Sequence, residues 1–253
     1  MTASETTKTM LSSVVGMAHG NPPPLPAAGN RMIVMVSNQT SVTTGYLAGR
    51  YLGRVGHLYS PGGQRGPWSF LPYALDNGAY SAYLSKQQWD AQQWLALLAW
   101  AKLSGRDPRW VLVPDVVGDR IATLNAYNQY GQTAAETGWP VAFAVQDGMT
   151  PADVPAGAQV IFVGGTTAWK WKTVSDWCKA FPRVHVGRVN SYERLWQCHE
   201  AGAESCDGTG WMRGCQKQLR GLVAYLAESS GESERPHQMR IFLPENLQGD
   251  GSW

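Results

Sequence analysis

Residues 140–165 read PVAFAVQDGMTPADVPAGAQVIFVGG. They hold two short apolar, β-branched runs, 140–145 and 159–163, each running into polar residues or glycine. Neither run alternates apolar with polar, as a strand with one wet face would. Both are apolar nearly throughout, which is the pattern of strands buried on both faces of a parallel sheet. An amphipathic stretch over 168–180 comes next, so the local order is strand, strand, helix.

The same alternation extends in both directions. Further strand-like runs fall at 32–36, 72–75, 110–114, 183–186 and, more weakly, 203–206, with helical patterns at 85–104, 119–137, 191–201 and 213–228. The first of these helices is predicted to open on a capping box, Ser85 to Gln88, ahead of Trp89, Trp94, Leu95 and Leu98 at helical spacing. Seven or eight such units in 253 residues predict an α/β fold. A closed, compact (β/α)8 TIM-like barrel, which need not be regular, is favoured over an open doubly wound sheet. Barrels commonly take about 250 residues, and no GxGxxG comes after the first strand. Residues 31–228 form the expected barrel. Residues 1–30, rich in Thr, Ser and Pro, read as a flexible or draped arm. Residues 229–253 read as a polar extension, with Ile241-Phe242-Leu243 as a last strand or an anchor.

With 43% hydrophobic and 16% charged residues, the chain can bury a core and is not of the disordered class. A net charge of +2 permits a nucleic-acid partner without requiring one, so any basic surface must be local. Twelve tryptophans suggest either flat surfaces for bases and sugars or helix–barrel packing, the reading preferred for Trp89, Trp94 and Trp100. Cys178, Cys198, Cys206 and Cys215 lack zinc-clip spacing and are expected as reduced thiols, with no metal and no cofactor. There is no apolar run of about 18 residues, and 9–18 is a poor signal peptide. A soluble cytoplasmic protein is expected.

The informative feature is the kind of residue at the end of each strand. The runs lead into Asp76-Asn77-Gly78, Asp115, Gln146-Asp147-Gly148, Gly164-Gly165, Gly187 and Asp207-Gly208. In a parallel barrel these ends share one face, so several carboxyls and a carboxamide would line one mouth. Asp and Gly also end strands simply as turn residues, but a whole rim of acids goes beyond that. Apolar lead-ins bury the acids in part and raise their pKa, as acid–base or nucleophilic chemistry at a sugar carbon requires.

These strings resemble the tRNA-guanine transglycosylase superfamily, including its compact DNA-modifying branch, the DpdA-type 7-deazaguanine transglycosylases. Asp76-Asn77-Gly78-Ala79-Tyr80 is similar to the family's DSGGY, and Val145-Gln146-Asp147-Gly148 to its VQGG segment. Val163-Gly164-Gly165 is similar to its glycine pair, and Val186-Gly187 through Leu195 to the GVGTPDDL stretch. Cys206-Asp207 with Arg213 is similar to the FDC…TRxGR region. The five strings lie in family order across residues 75 to 215. The resemblance implies Asp207 as the nucleophile on the sugar anomeric carbon and Asp76 as the acid/base, although the residues alone would allow these two to exchange roles. It further implies Tyr80 stacking on the base, Val186 beside it, and Asp115, Gln146, Gly164 and Gly165 reading the base edge. Arg213 would bind phosphate.

The family's Cys/His zinc arrangement is absent, and the chain is shorter. The implied partner is therefore DNA, with tRNA less favoured, together with a small 7-deazaguanine base and no membrane. Arg188, Arg194, Arg213, Lys217 and Arg220 offer a basic rim. Trp169, Lys170, Trp171 and Lys172 offer a basic-aromatic grip on a strand. Two other readings stay open: a barrel glycoside hydrolase using Asp76 and Asp207, and a non-catalytic nucleic-acid-binding module. His57, His185, His199 and His237 are assigned no role.

Overall fold

The apolar runs form eight parallel strands that close into a barrel in sequential order, β8 pairing back with β1. The computed structural model describes residues 32–38, 40–63, 68 and 70–235. The expected arm at 1–30, the 241–243 island and His237 lie outside them. The strands are β1 Ile33–Ser37, β2 Val55–Tyr59, β3 Tyr73–Leu75, β4 Val111–Leu112, β5 Val141–Val145, β6 Val160–Val163, β7 Val184–Val186 and β8 Ser205–Gly208. Around them lie α1 Val42–Arg50, α2 Ala79–Ser85, α3 Ala91–Leu103, α4 Arg120–Ala135, α5 Thr167–Ala180, α6 Tyr192–Ala201 and α7 Gln216–Ser229. The fold is a (β/α)8 TIM-like barrel.

Two elements have no clear signal in the sequence, for identifiable reasons. Strand β2 carries Gly56 and His57 within five residues, which masks its apolar character. Gly56 is needed there because a Cβ would lie 2.7 Å from the carbonyl oxygen of Pro72, the residue just before β3. Helix α1, VTTGYLAGR, is poor in helix formers. It is held instead by Ser41, whose hydroxyl accepts from the Thr44 N–H at 3.1 Å, and by burial of Leu47 and Ala48.

The helix expected over 85–104 begins only at Ala91, as α3, and Ser85 instead closes the preceding helix α2. The Ser85 hydroxyl donates back to the Ser81 carbonyl, Lys86 takes a left-handed conformation, and Asp90 caps α3 through the Gln92 N–H. Ser85 therefore ends a helix rather than starting one.

Because side chains alternate along a strand, the barrel has two cores. Ile33, Met35, Leu58, Ala74, Trp110, Leu112, Ala142, Ala144 and Val160 fill the interior, with Phe162 packed against them. Outside, between strands and helices, lie larger clusters containing Trp94, Trp139, Trp177 and Trp211. Trp89 and Trp100 pack against this shell, so the packing reading of these tryptophans holds. At the N-terminal ends of the strands, Glu204 accepts from Arg183 at 2.7 Å and from Arg109. This clamp ties β4, β7 and β8 on the face away from the mouth.

Trp110 is the largest group inside the barrel and is fully buried, edge-on to His185 and Phe162. Trp110→Ala should destabilise the fold by about 3–5 kcal/mol, measured as a lower urea midpoint with unchanged slope.

Candidate active site

Each strand-terminal polar residue emerges on the same face. Asp76 lies just after β3, Asp115 just beyond β4, Gln146 after β5, Gly164 and Gly165 after β6, and Asp207 within β8. All of these, together with Tyr80 from α2, Arg188 after β7 and Arg213, line one cavity. Its volume is about 130 Å³, on the scale of the roughly 150 Å³ that houses one benzene ring. The space is of the size of a single planar ring system.

Two carboxylates face this space. Asp207 is 5% exposed. Its Oδ1 accepts from the Arg188 backbone N–H at 3.2 Å and lies 3.1 Å from His185 Nε2. Asp76 accepts from the Ser60 hydroxyl at 2.8 Å. Burial raises the Asp76 pKa and the nearby Asp207 charge adds to the rise, together outweighing the Ser60 hydrogen bond. The pair is thus disposed so that Asp76 holds a proton more readily than an ordinary aspartate.

A third carboxylate, Asp115, sits in a tight amide frame. Asn77 Nδ2 donates to its Oδ1 and Gln146 Nε2 to its Oδ2, each at 2.7 Å. Burial nevertheless pushes the Asp115 pKa up to about 6. Gln146 Oε1 in turn accepts from the Gly118 and Gly165 N–H groups at 2.9 and 3.1 Å. The Gly164 N–H is bonded to the Val145 carbonyl. The Gly164 and Gly165 amides are therefore engaged within the wall. Gly165, at a φ of +69°, also leaves room that a Cβ would take 2.6 Å from Asp147. Gln146 is thereby fixed at both ends, and Asp115 is held between it and Asn77.

At the rim, the Arg188 guanidinium lies 4.4 Å over the Tyr80 ring and donates to the Gly165 carbonyl. Its residue has a φ of +58°, a conformation uncommon outside glycine. Tyr80 is 36% exposed, so one ring is available at the mouth. None of the described tryptophans lines the cavity.

Three expectations need correction. Val186 is fully buried in the shell between barrel and helices; β7 turns His185 inward and Val186 outward. Lys170 is 1% exposed and donates to the Gly187 carbonyl. Burial lowers its pKa to about 7, so it is no surface grip for a strand. Trp169 and Trp171 pack against the shell, leaving only Lys172 of that run exposed, away from the cavity lining.

Several residues of the site are not evident from the sequence. Ser60 belongs with the masked strand β2. Asn77 reads as part of a turn, yet it is buried and orients Asp115. His185 has no carboxylate near it along the chain. Its signal lies in strand alternation: an inward His on β7 meets an inward Asp on β8.

Among the described residues no group of three His, Cys, Asp or Glu side chains is placed to hold a metal ion. No described helix is long and apolar enough to cross a membrane. The chain matches no protein-family model and no characterised protein, so the site is read from its own geometry.

The raised Asp115 pKa has a testable consequence. The folded state keeps this proton to about pH 6, while the unfolded chain releases it at about pH 4. Its contribution to stability therefore falls as pH rises through that window. Carbon-13 NMR of labelled aspartates should show one carboxyl titrating near pH 6, moving higher in Gln146→Leu, where a donor to the ionised form is lost. Absence of any carboxyl midpoint above the ordinary range contradicts the enclosed wall.

Proposed function

We propose that the protein is a base-exchanging transglycosylase that replaces guanine in DNA with a 7-deazaguanine base through a covalent aspartyl–sugar intermediate. The observation that carries this reading is the pairing of Asp207 and Asp76 at one base-sized cavity whose wall is the Asp115–Gln146 frame. Two carboxyls alone would serve a glycoside hydrolase equally. A buried carboxylate braced by two amides is what the donor edge of a purine, its N1–H and amino group, would meet.

The chemistry runs in two displacements. An Asp207 carboxylate oxygen attacks C1′ as the C1′–N9 bond breaks, and the bond's electron pair leaves with the guanine. Asp76, biased toward its protonated form, gives that base its proton. The developing oxocarbenium charge is stabilised by the carboxylate beside it. The incoming base then loses its N9 proton to Asp76 and attacks C1′, and Asp207 leaves as carboxylate. Two inversions at one carbon retain configuration, and the proton on Asp76 is restored.

The target nucleotide must leave its stack to enter the mouth. There Tyr80, with the Arg188 guanidinium stacked over its ring, offers an aromatic edge, and Arg213 offers positive charge for flanking phosphates. DNA is preferred over tRNA because the chain lacks the zinc arrangement of the tRNA-acting enzymes it resembles.

Incubation with a labelled 7-deazaguanine base, duplex DNA and, separately, tRNA tests this directly. Label should enter DNA only. Asp207→Asn should lose at least about a thousandfold in rate, and Asp76→Asn about a hundredfold or more. Label in tRNA alone overturns the DNA assignment, and label in neither overturns the reaction.

A further inference from the structure

His185 has no part in the two displacements, yet its ring is held on every side. The ring is fully buried. Phe162 stacks on one face at 4.9 Å, and Trp110 meets it edge-on at 4.8 Å. Both its nitrogens are bonded along β8: Nδ1 lies 2.8 Å from the Ser205 hydroxyl, and Nε2 lies 3.1 Å from Asp207 Oδ1. Neighbouring strand register places these groups together, with His185 opposite Ser205.

The count of protons fixes the direction of this chain. An ionised Asp207 can only accept, so Nε2 must carry a hydrogen. In the neutral ring Nδ1 is then an acceptor, which the Ser205 hydroxyl satisfies by donating. Asp207 Oδ1 thereby receives two N–H donors, from His185 and from the Arg188 backbone. Oδ2 has no hydrogen-bond partner among the described residues.

From this geometry we infer that Ser205 and His185 are positioning residues that fix Asp207 for attack through Oδ2, and that His185 Nε2–H and Arg188 N–H then hold Oδ1 as the carbonyl oxygen of the aspartyl–sugar ester. The inference rests on the transglycosylase reading for the reaction, though not for the pairing itself. In the first step the Oδ2 lone pair forms the bond to C1′, and the C1′–N9 electrons leave with the base. In the second, the C1′–Oδ2 electrons return to the carboxylate, whose charge spreads onto Oδ1 between its two donors. Donors aimed at an oxygen that gains charge accelerate that step. Gly187 keeps the arrangement open: a Cβ there would lie 2.7 Å from the Phe162 ring that carries the imidazole.

The test combines a spectroscopic and a kinetic readout. Nitrogen-15 NMR of ring-labelled wild-type protein should show His185 protonated on Nε2 and bare on Nδ1, with that preference weakened in Ser205→Ala. In base exchange, His185→Leu should lower kcat about a hundredfold with KM within about twofold, and His185→Gln, which keeps an N–H donor, should recover part of the loss. A proton on Nδ1, or wild-type kcat in a folded His185→Leu, overturns the inference. If the wild type exchanges no base, the reaction reading fails, and the nitrogen spectrum still decides the pairing.

Discussion

The site depends on a carboxylate held in a place where carboxylates are costly. Asp207 is nearly enclosed, at the top of an interior packed with Trp110, Phe162 and aliphatic side chains. An ionised group there persists only when it is hydrogen-bonded. The imidazole of His185 and the Arg188 amide supply those bonds, and each brings its own requirement. The imidazole needs a flat slot between two rings and a hydroxyl behind it. The amide needs an unusual backbone turn at Arg188.

The same constraint gives the three carboxyls different surroundings. Asp207 has strong donors on one oxygen and a neighbour, Asp76, whose pKa is raised by burial and by the Asp207 charge. Asp76 is thus biased toward its protonated form, as the proposed acid of a carboxylate pair requires. Asp115 is different again. Its two amide partners hold it in the wall.

The architecture is largely legible in the sequence because parallel barrel strands are buried on both faces and read as unbroken apolar runs. That signal fails where a local requirement overrides it. Gly56 is dictated by the close approach of Pro72, and Ser85 imitates a helix start while bonding backward. The rim is legible too, since Asp76, Asp115, Gln146 and Asp207 each end a recognisable run and do converge. Direction and partnership are not legible. Val186 and Lys170, expected at the site, point into the shell or bury their charge. His185, twenty-two residues from Asp207 along the chain, becomes its neighbour only once strand register is known.

The central claim is that Asp207 becomes covalently joined to a sugar. The most direct measurement is rapid denaturing quench of the enzyme with guanine-containing DNA, then protease digestion and mass spectrometry of the attached peptide. The account predicts a nucleotide adduct on the peptide that contains Asp207, formed by wild type and absent from Asp207→Asn. An adduct mapped to Asp76, or base exchange that proceeds undiminished in Asp207→Asn, would contradict it.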